Sequence, residues 1–378
     1  MIVMRNKVTI FHHKYLPISE TFIYRQIQGL SSYYDVRVIT REVENIREYP
    51  DIVPLVVPTQ NCWRKLIKSE ERFLRNQLKE TELLHVNFGS IAIDLEDIVS
   101  RCAIPMTTYF LGVDASAALT DVEYRTRLKN SKFAAVFVNS EDMKKRLTPH
   151  LPPDMPCFVA YCGIPLERFP FKKRFSISDG VVFLQISRLT PKKGIEYTLK
   201  AFKRYVGEVD SRARLIIAGD GPLRENLIKL VSSLELSEKI NFIGSVGYQQ
   251  YIELLKNADV FIHPSVTADD GDMEGLPTII CEAMACGMPV ISTRHSGIPE
   301  LIDDRENGFL ADEKDVDGLF DCMISLYEAD VGSISQNARK KVEERFDHEK
   351  TIQILAGYMK DVIDNWDCAS STKKARLL

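Results

Sequence analysis

Asp259-Val260-Phe261-Ile262-His263, the loop 264–273, and then Glu274-Gly275-Leu276-Pro277-Thr278-Ile279-Ile280-Cys281-Glu282 form the stretch on which the fold turns. The first five residues are an apolar, β-branched run of strand length. Gly275 lets backbone come close to a ligand, Pro277 suits the first turn of a helix, residues 278–286 carry a helical pattern, and Gly287 stops it. The leading N–H groups of such a helix have no internal partner, so they make an anion site suited to a diphosphate. Glu274 lies just before the helix and Glu282 about one turn into it. Carboxylates would repel a phosphate they touched. The pair is better suited to accept hydrogen bonds from hydroxyls at either end of the anion, one on a sugar and one on a ribose. Glutamates are common on helix surfaces, and this pair takes its meaning from the strand–loop–helix setting.

Outward from this stretch, the same alternation runs through the whole chain. Strand-like runs fall at 181–187, 214–218, 239–243, 259–263 and 289–293 in the second half, and at 7–11, 35–40, 83–87, 106–110 and 134–139 in the first. Amphipathic helical patterns lie between them, among them 20–30, 195–205, 222–234 and 248–256. Strand, crossover helix and strand repeated in this way predict an α/β protein with parallel sheets covered on both faces. The alternation lapses at 165–179, where Pro165, Pro170, Lys172, Lys173 and Arg174, with Gly180 just beyond, mark a linker. Two Rossmann-like, doubly wound domains are therefore expected, 1–168 and 180–345, facing each other across a ligand cleft. The patterns at 333–346 and 348–367 are helical, and the tail beyond Trp366 has no periodicity.

A second feature sits at the end of the run 181–187: Ser187-Arg188-Leu189-Thr190-Pro191-Lys192-Lys193-Gly194, opening the helix from Ile195. Arg188 and Lys193 at a strand's carboxyl end can clamp a diphosphate from the side opposite Thr278, with Lys192 a weaker candidate.

Composition excludes several classes. The chain has 378 residues, 45% of them hydrophobic and 27% charged, with a formal net charge of -4, which gives no electrostatic case for nucleic acid. Residues 1–170 carry about two excess positive charges and the remainder about six excess negatives, favouring the first half for an anionic or membrane-associated acceptor. The eight cysteines show no C-x-x-C spacing, which suggests reduced thiols in a cytoplasmic setting. The first residues read as a strand and not a signal peptide, and no apolar run of about 18 residues occurs.

Taken together, Arg188-Leu189, Lys193-Gly194, Gly219-Asp220-Gly221-Pro222, Phe242-Ile243-Gly244, His263-Pro264-Ser265, the E-x7-E stretch, Ala283-Met284-Ala285, Gly287-Met288-Pro289 and Gly297-Ile298-Pro299-Glu300 resemble the family-four retaining glycosyltransferases of GT-B architecture. The resemblance covers most of 181–310. It is looser in the first half, through Ser19-Glu20-Thr21-Phe22 and Phe110-Leu111-Gly112-Val113-Asp114. It implies transfer of a sugar, with retention, from a nucleotide-sugar (a UDP-sugar on family habit) to a saccharide or lipid-linked acceptor in surface polysaccharide biosynthesis. Residues 1–168 would be the acceptor side, 180–345 the donor side, and 346–378 a helix crossing back to the first domain before a frayed tail. Arg188 and Lys193 would hold the diphosphate, Glu274 the transferred sugar and Glu282 the ribose. The backbone at Gly244 and Ser245 would receive the base, while Gly219, Gly275, Leu276 and Thr278 complete the donor side. Asp114 would lie near the reacting sugar, and Glu20 and Thr21 near the acceptor. Leu111 stands where many relatives carry histidine. A retaining enzyme of this type needs little from a protein base, because the leaving phosphate oxygen can take the acceptor's proton.

Other readings stay open beside this one. The acceptor can be a small-molecule glycoside, or the chain a catalytically silent nucleotide binder. Asp269-Asp270-Gly271-Asp272 has a metal-binding look, although no metal or other cofactor is expected. The basic amphipathic stretch 62–79 either covers a sheet or rests on the inner face of a membrane as a peripheral contact. A dehydrogenase is set aside, because no G-x-G-x-x-G follows either domain's first strand.

Overall fold

The structure is a computed structural model that describes residues 5–16, 21–46, 51–58 and 63–375, with the side chains of 63–68 and those beyond Trp366 not described. The chain divides into two compact units, Met1–Gly163 with His348–Leu378, and Ile164–Asp347.

The first unit holds a parallel sheet of seven strands: β1 (Lys7–Tyr15), β2 (Asp35–Val43), β3 (Leu55–Val56), β4 (Leu83–Asn87), β5 (Met106–Phe110), β6 (Ala135–Val138) and β7 (Cys157–Val159), in the order β3-β2-β1-β4-β5-β6-β7. β4 and β5 are buried along their whole length, as expected of near-continuous apolar runs covered on both faces. The long C-terminal helix His348–Ala375 completes this unit's core. Leu355, Met359 and Ile363 pack with Ile27, Tyr34 and Phe137, Tyr358 stacks on Phe158, and the Tyr34 hydroxyl donates to Ala356 O at 2.5 Å.

The second unit holds six parallel strands: β8 (Val182–Ile186), β9 (Arg214–Ala218), β10 (Ile240–Gly244), β11 (Val260–His263), β12 (Val290–Thr293) and β13 (Phe309–Ala311), ordered β10-β9-β8-β11-β12-β13. Crossovers run one way from β8 and the other way from β11, so the loops leaving these adjacent strands diverge and open a crevice at their carboxyl ends. Phe183, with Phe202 and Tyr205 packed edge-on against it, fills the interior beneath.

The α/β class and both doubly wound sheets are as the sequence predicts, and all ten expected strands form. The unforeseen strands β3, β7 and β13 are two or three residues long and sit at sheet edges. The stretch 165–179 is packed onto the second unit. Arg174 is buried, and its guanidinium donates to Leu255 O at 3.0 Å and Ala258 O at 2.9 Å, satisfying carbonyls at the end of the helix Tyr248–Asn257.

Candidate functional site

The loops leaving β8 and β11 meet at the crevice of the second unit. After Ile186 the chain makes a tight turn, Pro191–Lys193, and enters the helix Ile195–Glu208 through Gly194 at φ +61°. A Cβ at Gly194 would run into Pro264 O, so only glycine lets the two loops touch. Lys192 then staples them. Its buried ammonium donates to Asp272 Oδ1 at 2.9 Å and Met273 O at 3.2 Å, and its carbonyl accepts from Val266 N at 2.9 Å. This loop-bracing role accounts for Lys192, and it also occupies Asp272 of the acidic run. Among the described residues no group of three or more His, Cys, Asp or Glu side chains is placed to hold a metal ion.

Lys193 reaches the next residue of the same loop. Its Nζ lies 2.5 Å from Glu274 Oε1 in an ion pair with both side chains largely buried. Burial pushes the Glu274 carboxyl up, but Lys193 first, then Lys192, outweigh it and hold the group down to about 2. Beside them His263 ends β11 fully buried, with neither ring nitrogen hydrogen-bonded. Burial, helped by Lys193, brings it down to about 3, so the imidazole is neutral. Arg188 is exposed, and no hydrogen bond or ion pair engages its guanidinium among the described residues.

The helix Thr278–Ala285 starts at the same place. Pro277 precedes its first turn as the cap residue, and no side chain caps that turn. Ile280 N donates back to Pro277 O at 3.1 Å, which leaves the N–H groups of Thr278 and Ile279 without a partner inside the helix. Leu276 is buried behind it, and Glu282 is buried one turn in, accepting from the Tyr251 hydroxyl. At the flank, Gly219 N donates to Gly244 O at 2.7 Å, joining the ends of β9 and β10, and Ser245 lies exposed next to it. Gly219 has no room for a Cβ, which would meet Ser187 O. Arg188, Lys193, Glu274, Gly275, Leu276, Gly219, Gly244 and Ser245 thus lie at strand ends or in loops at the carboxyl side of one sheet, with Thr278 and Glu282 on the helix that follows β11.

Asp114 belongs to the first unit. Its buried carboxylate accepts from the backbone N–H of Gly89 at 2.8 Å, Gly112 at 3.0 Å and Leu111 at 3.1 Å, holding the turn after β5. Burial raises its pKa, and these donors pull it part of the way back. Leu111 packs against the core of that unit. Thr21 opens the helix Thr21–Leu30. Glu20 lies outside the described residues, as do Cys62 and the side chains of 63–68 in the basic stretch 62–79. Of the eight cysteines, the six described are free thiols.

Sequence reading missed the shell behind Glu274. His295 Nε2 accepts from Glu274 N at 3.0 Å, Ser296 Oγ donates to Glu274 O at 2.8 Å, and Gly297 N donates to Gly275 O at 3.2 Å. His295 Nδ1 lies 2.6 Å from Glu313 Oε1. Burial pushes Glu313 up, but hydrogen bonds from His295 and Thr267 N (2.6 Å) outweigh it and hold the carboxyl below its usual value. His295 follows β12, the neighbour of β11, so the strand-end rule that marked Arg188 would have marked it too.

A parallel sheet with basic residues, an uncapped helix start and two buried glutamates at its switch point defines an α/β protein with a charged crevice at the strands' carboxyl ends. Residues 168–345 match the family model described as "Glycosyl transferases group 1". Over 200 residues the chain is 36% identical to the amylovoran biosynthesis glycosyltransferase AmsK of Erwinia amylovora, covering 52% of this chain and 49% of that protein. Over 199 residues it is 32% identical to a GDP-mannose-dependent alpha-(1-6)-phosphatidylinositol monomannoside mannosyltransferase of Mycolicibacterium smegmatis, covering 52% and 50%. The chain thus spans about half the length of these relatives. In fold it is similar to Anabaena Alr3699/HepE solved with UDP-glucose, at TM-score 0.78 and 17% identity over 94% of this chain and 99% of that one. The second unit is a group 1 glycosyltransferase domain and the fold is GT-B, which bears out the resemblance carried by the motifs.

Proposed function

We propose that the protein is a retaining glycosyltransferase that moves a sugar from a nucleotide-sugar, a UDP-sugar by preference, to a hydroxyl of a saccharide or lipid-linked acceptor in cytoplasmic surface-polysaccharide synthesis. The observation that carries it is the Lys193–Glu274 pair at the switch point, beside the uncapped start of the helix Thr278–Ala285. In this scheme the donor diphosphate lies against that helix start, neutralised by Lys193 and by the exposed Arg188. Glu274, ionised at every working pH, accepts hydrogen bonds from hydroxyls of the transferred sugar, and Glu282, oriented by Tyr251, accepts from the ribose. The backbone at Gly244 and Ser245 receives the base. Lys193 and Arg188 stabilise charge on the departing phosphate, whose oxygen takes the acceptor's proton on the same face of the sugar. No metal enters this scheme. AmsK's role in amylovoran biosynthesis supports the acceptor class, and the UDP-glucose complex of HepE the donor nucleotide.

The test is a panel of UDP- and GDP-sugars with nucleotide release measured with and without EDTA, followed by NMR of the product's anomeric centre. Release insensitive to EDTA and retention at that centre are expected, and Arg188→Ala or Lys193→Ala should each lower turnover more than tenfold in a folded protein. Near-normal turnover in both variants removes the clamp. Nucleotide binding without release from any donor identifies a silent binder instead.

A further inference from the structure

His295 is fully buried and makes two directional contacts. A backbone N–H can only donate, so Nε2 must accept from Glu274 N; the proton therefore sits on Nδ1 and is donated to the Glu313 carboxylate. Glu313 in turn accepts from Thr267 N at 2.6 Å. Thr267 and Glu274 lie near opposite ends of the loop that leaves β11, so one His–Glu pair grips that loop at both ends. Ser296 Oγ fixes the Glu274 carbonyl at 2.8 Å, which leaves neither polar group of the Glu274 main chain unpaired. The Glu274 carboxylate is thereby delivered to Lys193 from a main chain held by side chains instead of by sheet or helix.

We infer that His295 is a positioning residue for Glu274: as a neutral Nδ1–H imidazole, anchored by Glu313, it sets where the Glu274 carboxylate meets the hydroxyls of the donor sugar. This rests on the donor role given to Glu274 above. It separates two functions that lie side by side. Diphosphate binding depends on Arg188, Lys193 and the helix start, none of which His295 touches. Sugar orientation depends on Glu274, whose main chain it holds.

The experiment uses the full chain with UDP-glucose and GDP-mannose as donors and UDP and GDP as ligands. His295→Phe keeps a ring of similar shape and removes both nitrogens. It should lower turnover roughly 10- to 100-fold, the range in which small misplacements act, with KM and nucleoside diphosphate Kd within about threefold of wild type. His295→Gln, whose amide oxygen can reach the Glu274 N–H, should recover a measurable part of the loss. Histidine-ring 15N NMR of the wild type should show the Nδ1–H tautomer at His295 near neutral pH. Turnover of His295→Phe within twofold of wild type, or a loss of UDP or GDP affinity in proportion to the loss of turnover, overturns the inference. So does an Nε2–H or doubly protonated ring. If the wild type releases nucleotide from no UDP- or GDP-sugar of the panel, the donor role of Glu274 falls with the proposed function, and the ring tautomer alone then decides whether His295 holds the Glu274 main chain.

Discussion

At the scale of a single residue, Glu274 shows how charge and burial are set against each other. A carboxylate this buried would ordinarily take up a proton, yet Lys193 and Lys192 hold it down to about 2. Its folded pKa lies below the unfolded value near 4.3, so it contributes stability that is present above that value and lost as the pH falls toward 2. Glu274→Gln should therefore flatten the acid side of a stability-versus-pH curve between about pH 4.5 and 2, as measured by urea unfolding. At neutral pH the same change leaves Lys193 without its partner, at a cost of about 3 kcal/mol. A diphosphate can supply the missing charge. UDP should then raise the melting temperature of Glu274→Gln by more than it raises that of the wild type, even though sugar transfer is lost. An equal or smaller shift would show that Lys193 and Glu274 do not compete with the phosphate.

At the scale of elements, the loops matter more than the strands they leave. The tight turn after β8 depends on Gly194, and the staple at Lys192 depends on that turn. Gly194→Ala places a Cβ against Pro264 O in a left-handed conformation, and the strain alone costs about 1–2 kcal/mol. Gly207, inside the helix Ile195–Glu208, has open space within 4 Å of the position a methyl group would take and is the internal control. Gly207→Ala should stabilise by about 0.5–1 kcal/mol, and Gly194→Ala should destabilise and depress nucleotide release. Chemical denaturation of the pair checks both signs, and equal stability for the two variants would contradict the turn's role. Strands such as β4, β5 and β9 were legible in the sequence because short runs rich in apolar, aromatic and β-branched residues, set between helical patterns, are what doubly covered parallel strands require. β3, β7 and β13 were not, since two or three residues carry no period. Lys193 and Glu274 could be singled out from strand-end position. The same rule reaches His295 at the end of β12, but not Glu313 behind it or Tyr251 against Glu282, because those come from elements whose approach only the tertiary fold determines.

At the scale of the whole molecule, the chain builds two cores, and the first is discontinuous in sequence. The helix His348–Ala375 supplies Met359, fully buried among Ile27, Tyr34 and Phe137, and Tyr358, stacked at 4.4 Å on Phe158. The first unit therefore waits for the end of the chain before its core closes, whereas the second has every strand and its helices within Ile164–Asp347. Met359→Ala removes three buried heavy atoms from a site with no solvent to fill it, and a loss of about 2–5 kcal/mol is expected. Hydrogen exchange should report that loss in β1, β4, β5 and β6, while amides of β8, β9, β11 and β12 keep the protection of the wild type. Diphosphate binding, which the proposed function assigns to residues of the second unit, should be retained at temperatures where the first unit has begun to open. Loss of protection in both sheets together would mean that the two cores unfold as one, and the division of labour between them would then have to be sought in the chemistry of their loops alone.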